Sequence, residues 1–336
     1  MKTLFDETRI GTMRLRNRLV RSATWEAMAD ETGRLTPRLL EVYRELAEGR
    51  VGLIITSATT ITKDATRPPG MLSIPDDSYI PEYRELTRIV HDAGGSIVMQ
   101  IVFPGRNGEM WTPAIPTPED IQSIVKSFGE AAFRAKQAGF DGVQIHAAHR
   151  YFLSQFLNEK KNTRTDQYGG QLPGRERFLL EICDEIRIRT GPDFPVLVKI
   201  NCSDFEEGDG VWEACRSAWT HLAETGISGI EISGGVSGSP LPPRGSPYEE
   251  SVFRDYASEI TKRATVPVIM VGLNRTPAVM THLLNTTGIG YFSLSRPFLR
   301  QPDLPGFWKS NPDAPAECIS CDACRQPEGN TCPFRE

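Results

Sequence analysis

Eight short apolar runs, each followed by a helical run, repeat along most of the chain. This alternation limits the available folds more than any other feature. The runs are residues 18–22, 52–57, 97–101, 142–146, 195–201, 229–233, 267–271 and 290–294. Most are continuously apolar rather than alternating, as in strands covered on both faces of a parallel sheet. Helical spacing predicts helices over 37–48, 81–93, 118–138, 177–189, 212–224, 255–263 and 277–285. In the third, Thr117 caps, Pro118 takes the first helical position and Asp120 completes a capping box. Ile121, Ile124, Val125, Phe128, Ala131, Ala132 and Ala135 then form its apolar stripe. Eight such units predict an α/β fold, a closed (β/α)8 TIM barrel. An open doubly wound sheet is the alternative. It normally carries a glycine-rich turn after an early strand, and no G-x-G-x-x-G follows the first three runs.

The 336 residues suit one barrel, and 39% hydrophobic with 24% charged residues is the balance of a globular chain with a large core. We expect the barrel over residues 1–310, opening with a short N-terminal hairpin over 1–17 that turns at Ile10-Gly11-Thr12, and a Cys-rich tail over 311–336. A net charge of −5 gives no reason to expect nucleic acid or an anionic membrane as partner. There is no run of 18 apolar residues to span a bilayer, and residues 1–6 lack the long apolar stretch of a secretory signal. The expectation is a cytoplasmic protein acting on a small-molecule substrate, as a homo-oligomer.

Active sites of such barrels lie at the C-terminal ends of the strands. Here those ends carry Ser22-Ala23-Thr24, Ala58, Gln100, His146 with His149, Lys199 with Asn201, Ser233-Gly234-Gly235, Gly272 and Ser295-Arg296. Small residues, backbone N–H groups and one Arg at the last three ends suit a phosphate. Lys199 and Gln100 can pair with a polar heterocycle across the barrel mouth. Each piece alone has a plainer reading as a turn, a strand cap or a surface residue. Their common address at one face favours a site.

The densest signal is His146-Ala147-Ala148-His149-Arg150-Tyr151. Two histidines three residues apart can share a metal, but H-E-x-x-H is absent and no third ligand is evident. The other reading is a clamp. Two imidazoles donate hydrogen bonds to a carbonyl oxygen on which charge develops, and Tyr151 supplies a proton.

This segment resembles the signature of the old yellow enzyme family, FMN-dependent ene-reductases. The similarity runs in family order from Leu4 to about Asp303, through Asn17-Arg18-Leu19-Val20, Gln100 with Pro104-Gly105-Arg106, Gly139-Phe140-Asp141-Gly142, Asp204-Phe205 and Arg296-Pro297. The resemblance implies that Ser22, Ala23, Thr24 and Ala58 line a flavin, and that Gln100 bonds its pyrimidine edge. It places Lys199 near N1 and the C2 carbonyl. Gly235, Gly272, Ser295 and Arg296 would hold the phosphate, Ser233 and Gly234 would join the cofactor site, and His146, His149 and Tyr151 would handle the substrate. The implied reaction is hydride transfer from NAD(P)H through flavin N5 to an activated C=C bond. Trp25, Phe103, Lys199, Leu273 and Ser295 depart from the common family pattern, as does the short connection between Gly105 and Thr117. We expect them to give an open or differently lined pocket.

The tail holds Cys318-x2-Cys321-x2-Cys324-x7-Cys332. Four thiolates so spaced commonly bind zinc or an iron–sulfur cluster. The tail is similar to that of 2,4-dienoyl-CoA reductase-like relatives, which carry a [4Fe–4S] cluster on wider spacing. Two alternatives to the ene-reductase follow. One is a flavin dehydrogenase or demethylase passing electrons through the cluster to a partner. The other is a flavin-binding electron-transfer subunit without turnover.

Overall fold

The computed structural model describes residues 1–206, 210–236 and 249–335. Eight parallel strands close into a barrel: β1 (Leu19–Arg21), β2 (Leu53–Ile55), β3 (Ile97–Val102), β4 (Gly142–Ala147), β5 (Val196–Asn201), β6 (Gly229–Ser233), β7 (Val268–Met270) and β8 (Tyr291–Leu294). Neighbours in sequence are neighbours in space, β8 pairs with β1, and the ring is complete. All eight strands fall within a residue or two of the expected runs.

The outer ring holds α1 (Pro37–Glu48), α2 (Ile80–Asp92), α3 (Pro118–Gln137), α4 (Phe152–Leu157), α5 (Leu172–Thr190), α6 (Val211–Glu224), α7 (Arg254–Thr261) and α8 (Pro277–Thr286). At the start of α3 the Asp120 N–H donates to Thr117 Oγ1 at 3.2 Å, and the Thr117 N–H donates to Asp120 Oδ2 at 2.9 Å. This is the predicted capping box. α5 begins five residues before the expected 177. Pro173 and Gly174 read as breakers in sequence, but both fall in the first turn, where a missing N–H costs little. Two short helices follow β8, α9 (Arg296–Arg300) and α10 (Leu304–Ser310). The second belongs to the barrel core through fully buried Leu304 and Trp308.

Successive residues of a strand face opposite sides of the sheet. The outward set, including Ile54, Met99, Ile145, Val198, Ile232 and Phe292, packs under the helices. The inward set changes character along the barrel axis. At the base it is Val20, Leu53, Ile55, Val98, Leu197, Ile269 and Tyr291. The antiparallel hairpin Thr8–Ile10 with Met13–Leu15 closes this end by adding Ile10, Met13 and Leu15 to the same cluster. One step up each strand, the inward residues are Ser22, Gln100, Gln144, Lys199, Glu231 and Ser293, all buried or nearly so. Among the described residues no helix is long and apolar enough to cross a membrane.

Candidate active site

The polar layer lies beneath a cavity of about 360 Å³ at the C-terminal mouth of the barrel, and Ser22, Lys199 and Ser293 reach into its lining. Ser22, Ala23, Thr24, His149, Lys199, Ser233, Gly234, Gly235, Gly272, Ser295 and Arg296 line it together. Eleven of the residues singled out from the sequence thus converge on one space. Gln100 and Ala58 are not in its lining, and His146 and Tyr151 stand behind His149. The His146 ring centroid lies 5.4 Å from that of His149 and 5.0 Å from that of Tyr151.

The turn after β4 positions the histidines at some strain. His149 and Arg150 both have left-handed backbones, with φ of 59° and 60°, which costs L-residues roughly 1–2 kcal/mol each. The surroundings hold them there. The His149 N–H donates to Asn201 Oδ1 at 3.0 Å, Arg150 Nε donates to Asp204 Oδ2 at 2.9 Å, and the Tyr151 N–H donates to the Ala148 carbonyl at 3.1 Å. Strain of this kind is kept where the local geometry serves a site. The His149 ring is fixed through Nε2, 2.8 Å from Ser233 Oγ.

Both imidazoles are held in the neutral form. Burial, and then the charge of Lys199, push His146 down to about 3 and His149 well below its ordinary value. His146 Nδ1 has no hydrogen-bond partner although it is buried. Such a group normally finds one.

Lys199 Nζ donates to Ser22 Oγ at 2.8 Å and lies 3.4 Å from Glu231 Oε1. Glu231 is fully buried. It accepts from Ser22 Oγ at 2.7 Å, Ser293 Oγ at 2.8 Å and Gln144 Nε2 at 2.8 Å. Burial alone would raise its carboxyl. The Lys199 charge and these hydrogen bonds outweigh burial and leave it below the ordinary carboxylate value. Neither Glu231 nor Gln144 stood out in the sequence reading. A carboxylate in the middle of an apolar strand run was the available signal, since buried charges are seldom left without a purpose or a partner.

At the wall nearest β6 and β7, Gly272 has φ of 114°, and a Cβ there would meet Phe253 Cδ2 at 2.5 Å. Gly235 has φ of 80°. Its N–H is engaged by the Ser203 carbonyl at 2.8 Å, so Gly235 gives the cavity room rather than a free donor. The opposite wall comes from the tail. Arg296 Nη1 donates to Asp322 Oδ1 at 2.6 Å, Arg275 Nη2 to Ser320 Oγ at 2.8 Å, and Asn330 Nδ2 to the Trp25 carbonyl at 2.6 Å. Trp25 keeps 44% of its surface exposed at the rim, so its indole narrows the mouth rather than filling the core.

The sequence matches the NADH:flavin oxidoreductase / NADH oxidase family over residues 3–116 and 109–312. The chain belongs to this family. An NADH oxidase of Thermoanaerobacter brockii is 32% identical over 95% of this chain and 52% of that protein. A metal reductase of Desulforamulus reducens is 31% identical over 96% of this chain and 51% of that protein. The chain thus spans about half the length of these relatives. Among solved structures, a 2-naphthoyl-CoA reductase complex superposes with a TM-score of 0.87 at 24% identity, covering 96% of this chain and 54% of that one. The old yellow enzyme homologue of Zymomonas mobilis gives 0.82 at 23% identity, with 98% of both chains covered. At such identities the likeness is one of fold, and the fold is the old yellow enzyme barrel.

Beyond the family match, the tail cysteines surround a second hollow. Cys318, Cys321, Cys324 and Cys332 line about 260 Å³, and none of the four is in a disulfide. Among the described residues, no three His, Cys, Asp or Glu side chains are gathered closely enough to hold a metal ion. This hollow and the main cavity share Arg296, Ser320, Asp322 and Cys324.

Proposed function

We propose that this chain is an FMN-dependent oxidoreductase that reduces activated C=C bonds, such as those of enones or enoates, at the expense of NAD(P)H. One observation carries the reading. The His146 ring packs against those of His149 and Tyr151, both imidazoles are neutral, and His149 lines a cavity together with a buried lysine.

The residues present suit FMN. The glycine wall at Gly272 and the cation at Lys199 in the lining offer room and positive charge. Ser22, Ala23, Thr24 and Lys199 would hold the ring system. Gly234, Gly235, Gly272, Ser295 and Arg296 would surround the phosphate, with Arg296 shared between it and Asp322. Bound there, FMN supplies reversible acceptance and release of a hydride.

The chain's own groups do the rest. A neutral imidazole has one N–H to donate. His146 and His149 each present theirs to the electron-withdrawing oxygen of the substrate, where negative charge grows during hydride addition. Donors aimed at such charge in a desolvated site are worth about 100- to 1000-fold in rate. Tyr151 delivers the proton to the carbon beside the carbonyl, a contribution of about 100- to 10,000-fold. Lys199 would bring positive charge to the ring system it helps hold, stabilising added negative charge there.

NAD(P)H oxidation should rise on adding cyclohexenone, and Tyr151→Phe should lower that stimulated rate at least about 100-fold. No stimulation by any enone, enoate or nitroalkene would rule the reading out.

The shared wall between cavity and cysteine hollow favours a second reading, in which Cys318, Cys321, Cys324 and Cys332 hold a metal. Four thiols around one hollow are the donor set of zinc or a [4Fe–4S] cluster. A cluster held by these four thiols would supply single-electron transfer, as in a flavin dehydrogenase, and zinc would only pin the tail, although the thiols as placed are not gathered closely enough to hold either. Protein purified without air should contain iron with acid-labile sulfide, or one zinc. Metal-free protein with four titratable thiols in the tail would exclude both.

A further inference from the structure

The polar layer beneath the cavity has a direction, set by one carboxylate. A carboxylate only accepts hydrogen bonds. Gln144 must therefore turn its amide nitrogen toward Glu231 Oε2, at 2.8 Å, and its carbonyl oxygen away. That oxygen accepts from Gln100 Nε2 at 2.7 Å. Gln100 must in turn point its own carbonyl oxygen onward, as an acceptor. The other Glu231 oxygen takes Ser22 Oγ and Ser293 Oγ and stands 3.4 Å from Lys199 Nζ. All these groups are buried, so water cannot restore a bond lost to a flipped amide.

We propose that Glu231 is a positioning residue that fixes the order of donors and acceptors in the buried layer beneath the cavity, making that layer select a ligand edge with an N–H flanked by electron-rich carbonyl and ring nitrogen. Glu231 does this through two arms. The amide relay Gln144–Gln100 ends in an acceptor, which matches an imide N–H. The other arm ends in the Lys199 ammonium, which matches a carbonyl oxygen and an adjacent ring nitrogen. That sequence of groups is found along the pyrimidine edge of an isoalloxazine. The inference rests on the FMN reading and adds the residue that imposes the edge's orientation.

The test uses FMN and N3-methyl-FMN, in which the imide donor is blocked, bound to the wild-type chain and to Glu231→Gln and Gln144→Met variants. Wild type is expected to bind FMN about tenfold more tightly than the methylated flavin, the value of one buried hydrogen bond. In Glu231→Gln nothing forces the Gln144 amide, and the preference should fall to about threefold or less. In the same variant the bound flavin's midpoint potential should rise, because a negative charge next to Lys199 is gone. Gln144→Met cuts only the relay. It should lose the preference while leaving the potential near that of wild type, and it keeps the test open if Glu231→Gln does not fold. A merely structural role would not separate the two readouts in this way. A wild-type preference below twofold, or a preference preserved in both folded variants, overturns the relay. Failure to bind either flavin overturns the cofactor reading, and the relay's ligand with it.

Discussion

The two ends of the barrel interior are built from the same strands with opposite chemistry. At the base, Val20, Leu53, Val98, Leu197 and Tyr291 face inward and meet the hairpin residues Ile10 and Met13. Two residues further along β1, β3, β5 and β8 the inward positions are Ser22, Gln100, Lys199 and Ser293, joined by Gln144 and Glu231. The base gains stability from each apolar group removed from water, roughly 25 cal/mol per Å². The upper layer gains little by that route, since it must satisfy every polar group it buries. Stability and function are therefore stacked along one axis, with the left-handed turn at His149 and Arg150 above both. A barrel can carry a strained, charged floor because the layer beneath it is apolar and closed.

Three measurements would sharpen or break this division. The largest effect belongs to the top. His149→Asn should lower enone-dependent turnover about 100- to 1000-fold with little change in thermal stability. A comparable fall in melting temperature would instead make the imidazole a structural group. Next comes the base. Leu53 is fully buried in the lower cluster, and Leu53→Ala should destabilise the chain by ~2–5 kcal/mol in denaturant unfolding without altering FMN affinity. Loss of flavin binding in the folded variant would mean that the layers are not independent.

Per pH unit, the smallest effect is acid sensitivity. His146 and His149 titrate below their ordinary value of 6.5 when folded, His146 at about 3. The unfolded chain therefore takes up their protons first. The stability His146 contributes is full above about pH 6.5 and is lost as pH falls toward 3, by ~1.4 kcal/mol per pH unit, and His149 acts in the same direction. A His146→Asn variant should show a shallower decline between pH 6 and pH 4 in unfolding experiments. An unchanged slope would place a charged imidazole in the native state.

The barrel was legible because its signal is local and repeated. Continuous apolar runs mark β3, β4 and β5 within a residue, and the capping box marks the start of α3. Residues 302–310 were harder. Pro302 and Pro305 hid a helix that no predicted element covered, yet Leu304 and Trp308 are drawn into the core as α10. The cysteine tail as one wall of the cavity was also not foreseen. The bonds from Asp322 to Arg296 and from Asn330 to Trp25 join positions far apart in the chain, and no periodicity reports such a contact.

What the sequence determined by itself is the alternation of strands and helices, and the identity of the groups that reach the strand ends. Both follow from backbone propensity and a two-residue period, which act over a few neighbours. Only the tertiary structure decided which polar groups meet. Closing the barrel sets β5 beside β4 and β6, so that Lys199 stands in register with both His146 and Glu231. That juxtaposition holds two imidazoles neutral and one carboxylate charged in the same buried layer, because electrostatic effects depend on distance and burial rather than on order along the chain.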